Sequence, residues 1–113
     1  MITVGIDAHK RTHTLVAVDE TGRKLAECTV GATAEGHLHG LQWAARWPER
    51  RFAVEDCRHV ARLLEANLLA AGEAVVRVPP HLMAGTRRGG RERGKSEPID
   101  ALAIARTVLG RLA

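Results

Sequence analysis

Residues 2–18 read ITVGIDAHKRTHTLVAV. The runs Ile2–Ile6 and Thr12–Val18 are apolar and rich in β-branched residues, which predicts two short strands. Asp7 follows the first run directly, at a place where a packed strand has no need of a charge. The stretch therefore predicts a pair of strands with a carboxylate at the end of the first.

The rest of the chain extends this pair into an α/β fold. A turn at 19–22 predicts a third strand that completes an antiparallel meander. This third strand covers Lys24–Val30. The elements predicted after it are a helix capped by Thr33 with an apolar face of Leu38, Leu41 and Ala45, a strand over Phe52–Glu55, a helix over His59–Ala71, a strand over Ala74–Val78 and a last helix after Ser96. The order βββαβαβ, a linker, then α predicts a mixed sheet with helices on both faces.

Size and composition indicate one cytoplasmic domain. At 113 residues and 45% apolar content, the chain has room for a single core. No run is long and apolar enough to span a bilayer, and Asp7 interrupts the first apolar run, so neither a membrane partner nor a secretory signal is expected. Cys28 and Cys57 form no CxxC pair and no zinc pattern, which predicts reduced thiols.

The net charge of +4 resides in one glycine-rich loop. Gly85–Lys95 (GTRRGGRERGK) holds five basic residues and one acidic residue, and the remaining chain has 12 of each sign. Such a loop suits the phosphates of a polyanion, although a solvated loop that binds nothing is the alternative. The candidate nucleic-acid-binding residues are this loop's Arg87, Arg88, Arg91, Arg93 and Lys95, together with Lys10, which follows Asp7 closely.

Four acidic residues are the candidate metal ligands. Asp7 and Glu55 each end a predicted strand, and Glu97 and Asp100 share one face at the start of the last helix. If folding gathers these carboxylates, they would bind Mg²⁺ or Mn²⁺, and paired metal ions break phosphodiester bonds. Each acid also has an ordinary structural alternative, such as a turn cap, an ion pair or a first-turn helix position.

The histidines give no metal pattern at this stage. His9 and His13 are four residues apart, but they flank a turn, whereas a zinc pair at this spacing needs a helix. His37 and His39 lie two apart on a predicted helix and so face apart. A zinc site is therefore not expected.

Three segments resemble the N-terminal domain of IS110-type insertion-sequence transposases, also called DEDD transposases. They are GIDAHK at 5–10, AVE at 53–55 and GKSEPIDA at 94–101, in the family's order. The resemblance implies a RuvC-like, ribonuclease-H-type domain over residues 1–113, a DNA substrate and cut-and-rejoin recombination at an acidic metal site. It implies Asp7, Glu55, Glu97 and Asp100 as the four catalytic acids, although the third is usually Asp, and Glu97 is one methylene longer.

The resemblance also implies partners and a longer protein. Members of the family continue into a C-terminal domain that resembles the home of a nucleophilic serine, and they use a structured RNA to choose DNA sites. The chain is therefore expected to be a truncated protein or an isolated domain, insufficient alone for transposition. DNA is the expected partner, with a guide RNA as a further one, and a homo-oligomer is left open.

Three other readings stay open. Sugar kinases and actin-like ATPases also begin with a Gly-Ile-Asp strand and a meander, but they continue with a phosphate-binding turn of small residues where this chain has 8–11, AHKR. A non-enzymatic module would bind nucleic acid through Gly85–Lys95 alone, without metal. An inactive remnant is the third reading.

Overall fold

The computed structural model describes residues 1–55, 58–83 and 97–112. In chain order, the strands and helices are β1 (Ile2–Ala8), β2 (Thr12–Val18), β3 (Lys24–Gly31), α1 (Ala34–Ala44), β4 (Arg50–Glu55), α2 (Arg62–Ala70), β5 (Val75–Val78) and α3 (Glu97–Leu112), with single 3₁₀ turns at Arg58–Val60 and Pro80–Met83. This is the predicted order. Within the described parts of the chain, no helix is long and apolar enough to cross a membrane.

The five strands form one mixed sheet in the order β3-β2-β1-β4-β5. The strands β1, β2 and β3 pair antiparallel as the predicted meander, while β4 lies parallel to both β1 and β5. The carboxyl ends of β1, β4 and β5 therefore meet at the same edge of the sheet. In open α/β sheets this edge is where ligands bind.

One face of the sheet packs against α1 and α2. Alternate residues of β1 and β4, such as Ile6 and Phe52, are fully buried there beside Leu64 and Leu68 of α2. Burying a side chain such as Phe52 contributes about 1.5–3 kcal/mol to stability. The largest hydrophobic cluster of the described residues lies in this layer.

The opposite face packs against α3. Val16 and Val18 of β2 contact Ala101 and Ala105, while Ala53 of β4 lies in a second cluster with residues further along the helix. The predicted placement of helices on both faces is thus confirmed. Successive side chains of a strand point to opposite faces of the sheet. Ile6 and Val54 face α1 and α2, so their neighbours Asp7 and Glu55 lie on the face that α3 covers.

Gly5 allows α3 to lie directly on β1. A Cβ atom at this position would overlap the backbone oxygen of Ala101 and would lie 2.7 Å from the backbone nitrogen of Ala105. Only glycine permits this close approach of a helix to a strand. The first turns of α3 are consequently held against the strand that carries Asp7.

Local signals in the sequence explain several element boundaries. The Thr33 hydroxyl accepts a hydrogen bond from the backbone N–H of Gly36 at 3.0 Å, which caps α1 as predicted. Gly22 and Gly72 have φ values of 86° and 83°, in the left-handed region that glycine tolerates. Gly22 lies in the predicted turn before β3, and Gly72 follows the end of α2.

The predicted face of α1 and the start of α2 need correction. Leu38 is 52% exposed and Ala45 lies outside α1, because the buried face of that helix consists of Gly36, His37, Gly40 and Ala44. The α2 helix begins only at Arg62, after a 3₁₀ turn, and no side chain caps it. The prediction of Ser96 as a cap falls outside the described residues.

Candidate metal centre

Asp7 and Glu55 lie next to each other on the face of the sheet that α3 covers. The parallel register pairs Ile6 with Val54, and continuing it by one residue aligns Asp7 with Glu55. Gly5, two residues before Asp7, touches α3, and Ala53, two residues before Glu55, packs in a cluster with α3. Both acids are buried, with exposures of 6% and 5%. Two carboxylates of distant sequence thus share one edge of one face.

The start of α3 supplies the other two predicted acids. Asp100 is half-buried in the first turns of α3 and directly precedes Ala101, whose backbone oxygen faces Gly5. Glu97 begins the helix, and its side chain lies outside what the structure describes. The helix start thus belongs to the same face of the sheet as Asp7.

The donor chemistry of Asp7 and Glu55 fits a hard divalent cation. Carboxylate oxygens are the ligands that Mg²⁺ and Mn²⁺ favour, and two buried carboxylates side by side repel each other unless a cation offsets their charge. Among the described side chains, no three His, Cys, Asp or Glu groups gather closely enough to hold a metal ion. The pair Asp7–Glu55 therefore fits such an ion, and the four-carboxylate arrangement stays a prediction.

His9 is a residue of the site that the sequence analysis missed. Its ring Nε2 lies 2.8 Å from Oδ2 of Asp7, and the ring is half exposed. His9 directly follows β1, in the turn to β2, and its ring returns to the Asp7 carboxylate. The short spacing between an acid and a histidine in Asp7-Ala8-His9 is the sequence signal for this contact.

A chain of hydrogen bonds continues from His9 into the core. The backbone N–H of His9 donates to Nδ1 of His13 at 3.3 Å, Nε2 of His13 lies 3.2 Å from Nε2 of His37, and Nδ1 of His37 lies 2.7 Å from Oδ1 of Asn67. We call this set the histidine relay; its members are His9, His13, His37 and Asn67. The relay joins the β1–β2 turn to β2, α1 and α2.

His13 remains uncharged over a wide pH range. Its pKa is lowered from 6.5 to about 4, first by burial and then by the neighbouring His37 and His9. The ring is 1% exposed and stacks on His37 with a centroid distance of 5.2 Å. The histidine relay is therefore neutral at His13 under physiological conditions.

The predicted nucleic-acid-binding residues are only partly described. Lys10 is exposed in the β1–β2 turn and lines a cavity of about 360 Å³ with His13, His37, His59 and Leu63. The residues of the basic loop, Arg87, Arg88, Arg91, Arg93 and Lys95, lie outside the described residues. Lys10 is thus three residues after Asp7 in the sequence, and its side chain is exposed to solvent.

Comparison with known proteins identifies the family. The chain matches the family model of IS110-type DEDD transposases, described as transposase, over residues 4–113. The chain belongs to this family. A curated relative is the insertion element IS116 uncharacterized 44.8 kDa protein of Streptomyces clavuligerus, 37% identical over 107 residues. That alignment covers 92% of the chain and 26% of the relative, so this IS110-family chain spans about a quarter of its curated relative's length.

Solved structures of RuvC share the fold of this IS110-family domain. The Thermus thermophilus RuvC in complex with a Holliday junction substrate superposes with a TM-score of 0.68 at 21% identity, covering 100% of this chain and 96% of that chain. A second Thermus thermophilus RuvC structure gives a TM-score of 0.66 at 21% identity, covering 99% and 96%. The predicted RuvC-like, ribonuclease-H-type fold is thereby confirmed. These findings give no support to the ATPase alternative.

Proposed function

We propose that this chain is the metal-binding, phosphodiester-cleaving domain of an IS110-type transposase. Asp7 and Glu55 hold Mg²⁺ or Mn²⁺, and Asp100 and Glu97 approach from the start of α3. The single observation that carries this proposal is the parallel β1–β4 register, which aligns two buried carboxylates on the face that α3 covers when it is continued one residue past the Ile6–Val54 pair.

The buried setting of the two acids favours this role over a structural one. Burial of two neighbouring carboxylates costs free energy, because both lose hydration and repel each other, so each needs polar or cationic partners there. A divalent cation is a partner that offsets both costs at once. Asp7 and Glu55 are both nine-tenths or more buried at the edge where such sheets bind ligands.

Each group has a distinct part in strand cleavage. Asp7 and Glu55 would hold a divalent cation against the sheet, and such a cation would activate a nucleophile and stabilise the leaving oxygen of a phosphodiester. The packing of α3 on Gly5 holds the start of that helix beside the two acids. Lys10, exposed in the turn after β1, neutralises a phosphate of the bound strand.

DNA is the proposed substrate. The RuvC neighbour was solved with a Holliday junction substrate, and the family is that of a transposase. The basic residues Arg87, Arg88, Arg91, Arg93 and Lys95 are proposed to follow the DNA backbone. A structured guide RNA and the second domain needed for rejoining belong to the same proposal and rest on the family. A cytoplasmic location rests on the cysteines and the apolar pattern of the sequence, and a homo-oligomer is left open.

Calorimetric titration of Mn²⁺ into the 113-residue chain tests the metal site. Asp7→Asn and Glu55→Gln should each weaken Mn²⁺ binding at least tenfold, because each removes one anionic ligand. Glu49→Gln is the matched control, since Glu49 is an exposed acid that directly precedes β4, whereas Glu55 is the last residue of that strand. At a free Mn²⁺ concentration of 100 times Kd, the unaltered chain should gain about 2.7 kcal/mol of stability.

Metal-free unfolding separates loss of a ligand from loss of the fold. Asp7→Asn and Glu55→Gln keep the shape of each side chain and an oxygen that accepts hydrogen bonds, so both variants should remain folded without metal, as a urea unfolding curve shows. Equal Mn²⁺ affinity in Asp7→Asn and in the Glu49→Gln control would refute the site. Binding of a four-way DNA junction, measured by fluorescence anisotropy, should strengthen with Mn²⁺; metal-indifferent binding would favour the non-enzymatic module.

A further inference from the structure

The histidine relay connects the acidic edge of the sheet to the layer of helices on its other face. At one end the His9 ring contacts the Asp7 carboxylate at 2.8 Å, and at the other Asn67 lies on α2. Between them, His13 and His37 are 1% and 2% exposed. Such buried polar side chains persist in a core only when their hydrogen bonds are satisfied.

The direction of every hydrogen bond in the interior of the relay follows from one fixed donor. A backbone N–H can only donate, so Nδ1 of His13 accepts from His9 and Nε2 of His13 carries the hydrogen. Nε2 of His37 must then accept, which leaves the hydrogen on its Nδ1. That Nδ1–H donates to Oδ1 of Asn67, an acceptor, so the series closes with every ring nitrogen engaged.

This arrangement rules out two other roles for the buried histidines. Both nitrogens of His13 and both nitrogens of His37 already have hydrogen-bond partners, so neither ring offers a lone pair to a metal ion. Each neutral ring has one donor and one acceptor, so a further proton on either ring would break one of the bonds. The interior of the relay is therefore a rigid, neutral support.

The relay fixes the turn that presents His9. The His9 backbone N–H lies between Thr12 O at 3.1 Å and His13 Nδ1 at 3.3 Å, which holds the turn from the strand and from the core. The His9 ring itself is 45% exposed, so its orientation depends on this anchored backbone. The ring Nε2–H donates to Oδ2 of Asp7, because a carboxylate only accepts.

We infer that the histidine relay is a positioning device for the Asp7 carboxylate, with His9 as its terminal positioning residue. A hydrogen bond to one carboxylate oxygen fixes rotation about the Cβ–Cγ bond, so both oxygens are oriented before a cation arrives. Groups that orient a metal ligand in this way typically change metal affinity by about 10- to 100-fold when removed. The inference rests on the proposed function, in which Asp7 is a metal ligand.

Two variants of His9 test the inference by Mn²⁺ calorimetry at one pH. His9→Leu removes the donor and should weaken Mn²⁺ binding about tenfold. His9→Gln places an amide N–H near the position of Nε2 and should restore affinity to within about threefold of the unaltered chain. Because the ring is half exposed, both variants should unfold at the same temperature as the unaltered chain in the absence of metal.

The outcomes separate this inference from the proposed function. No Mn²⁺ binding in the unaltered chain refutes the metal site and the positioning role together. Binding that depends on Asp7 but is equal in His9→Leu and His9→Gln refutes the positioning role alone. Rescue by His9→Gln supports it, because a merely structural loss would not be restored by the amide.

The interior of the relay has its own readout that needs no metal. Two-bond ¹H–¹⁵N correlation spectra of the metal-free chain report which ring nitrogen of each histidine carries the hydrogen. We expect the Nε2–H tautomer for His13 and the Nδ1–H tautomer for His37. The reverse assignment at either ring would overturn the relay as the support of His9.

Discussion

Acidification should destabilise this fold through His13, whose ring is almost completely buried in the relay. In the folded chain its pKa is lowered from 6.5 to about 4, first by burial and then by the neighbouring His37 and His9. The unfolded chain binds a proton at this ring near pH 6.5, whereas the folded chain resists it down to about pH 4. The stabilisation is therefore complete above pH 6.5 and is lost progressively as the pH falls from 6.5 to about 4.

The size of the effect follows from that difference in pKa. The interval between 6.5 and about 4 is equivalent to about 3 kcal/mol when fully developed. Between pH 7 and pH 5, the loss attributable to His13 is about 2 kcal/mol. Domains of this size have a total stability of roughly 5–15 kcal/mol, so the loss is readily measured.

Urea unfolding at several pH values measures the effect. Fluorescence of Trp43 and Trp47 and circular dichroism report the transition, and a loss of about 2 kcal/mol should lower the urea midpoint by roughly 1 M. His13→Gln removes the titrating ring and should lose this part of the pH dependence. It should also be less stable at pH 7 by about 1–3 kcal/mol, because the relay's partners lose their bonds.

His39→Gln is the matched control for this experiment. His39 is exposed on α1, two residues from His37, and its replacement should leave the pH dependence unchanged. The reasoning fails if His13 titrates near pH 6.5 in the folded chain, as followed by NMR. It also fails if His13→Gln loses as much stability between pH 7 and pH 5 as the unaltered chain.

Three further changes address packing and capping, each followed by urea unfolding at pH 7. Gly5→Ala should destabilise by at least about 1–3 kcal/mol, because the new methyl group overlaps α3, whereas Gly110→Ala, where nothing lies within 4 Å, should be neutral or stabilising by up to about 1 kcal/mol. Thr33→Ala removes the α1 cap and should cost about 1 kcal/mol, and equal stability would contradict the capping role. Glu73→Gln weakens a half-buried two-bond contact with Arg50 (3.1 and 2.7 Å) and should cost about 1–3 kcal/mol; a smaller loss would show that solvent replaces the pair.

The sequence was sufficient to predict the sheet because its strands carry strong local signals. The runs of β-branched residues predict β1 and β2, and Pro48 predicts that the helix ends before β4 begins. Asp7 was expected to follow β1, yet it lies inside that strand. The ladder continues as far as the Ala8–His13 pair, and no residue before the turn forbids that pairing.

The inward faces of the helices were harder to predict because apolar residues occur on several sides. Leu38 is apolar but exposed, while the polar His37 is buried on the face it shares with Gly40 and Ala44. A prediction from hydrophobic periodicity places Leu38 on the buried face, although the residue buried there is its neighbour His37. The burial of the His37 ring is made acceptable by its hydrogen bonds to His13 and Asn67, which lie 24 and 30 residues away in the sequence.

The Gly5 contact links the fold to the proposed metal site. Gly5 is two residues before Asp7 on the same face of β1, and it faces the backbone oxygen of Ala101, the residue after Asp100. The distance between Asp7 and Asp100 is therefore set by how closely α3 approaches β1.

A methyl group at Gly5 should move the start of α3, and with it Asp100, away from β1. Glu55 is held by the β1–β4 register and should keep its alignment with Asp7. Gly5→Ala should then weaken Mn²⁺ binding under conditions where the chain is still folded, and Gly110→Ala should not; unchanged affinity in folded Gly5→Ala would show that Asp100 takes no part in the site.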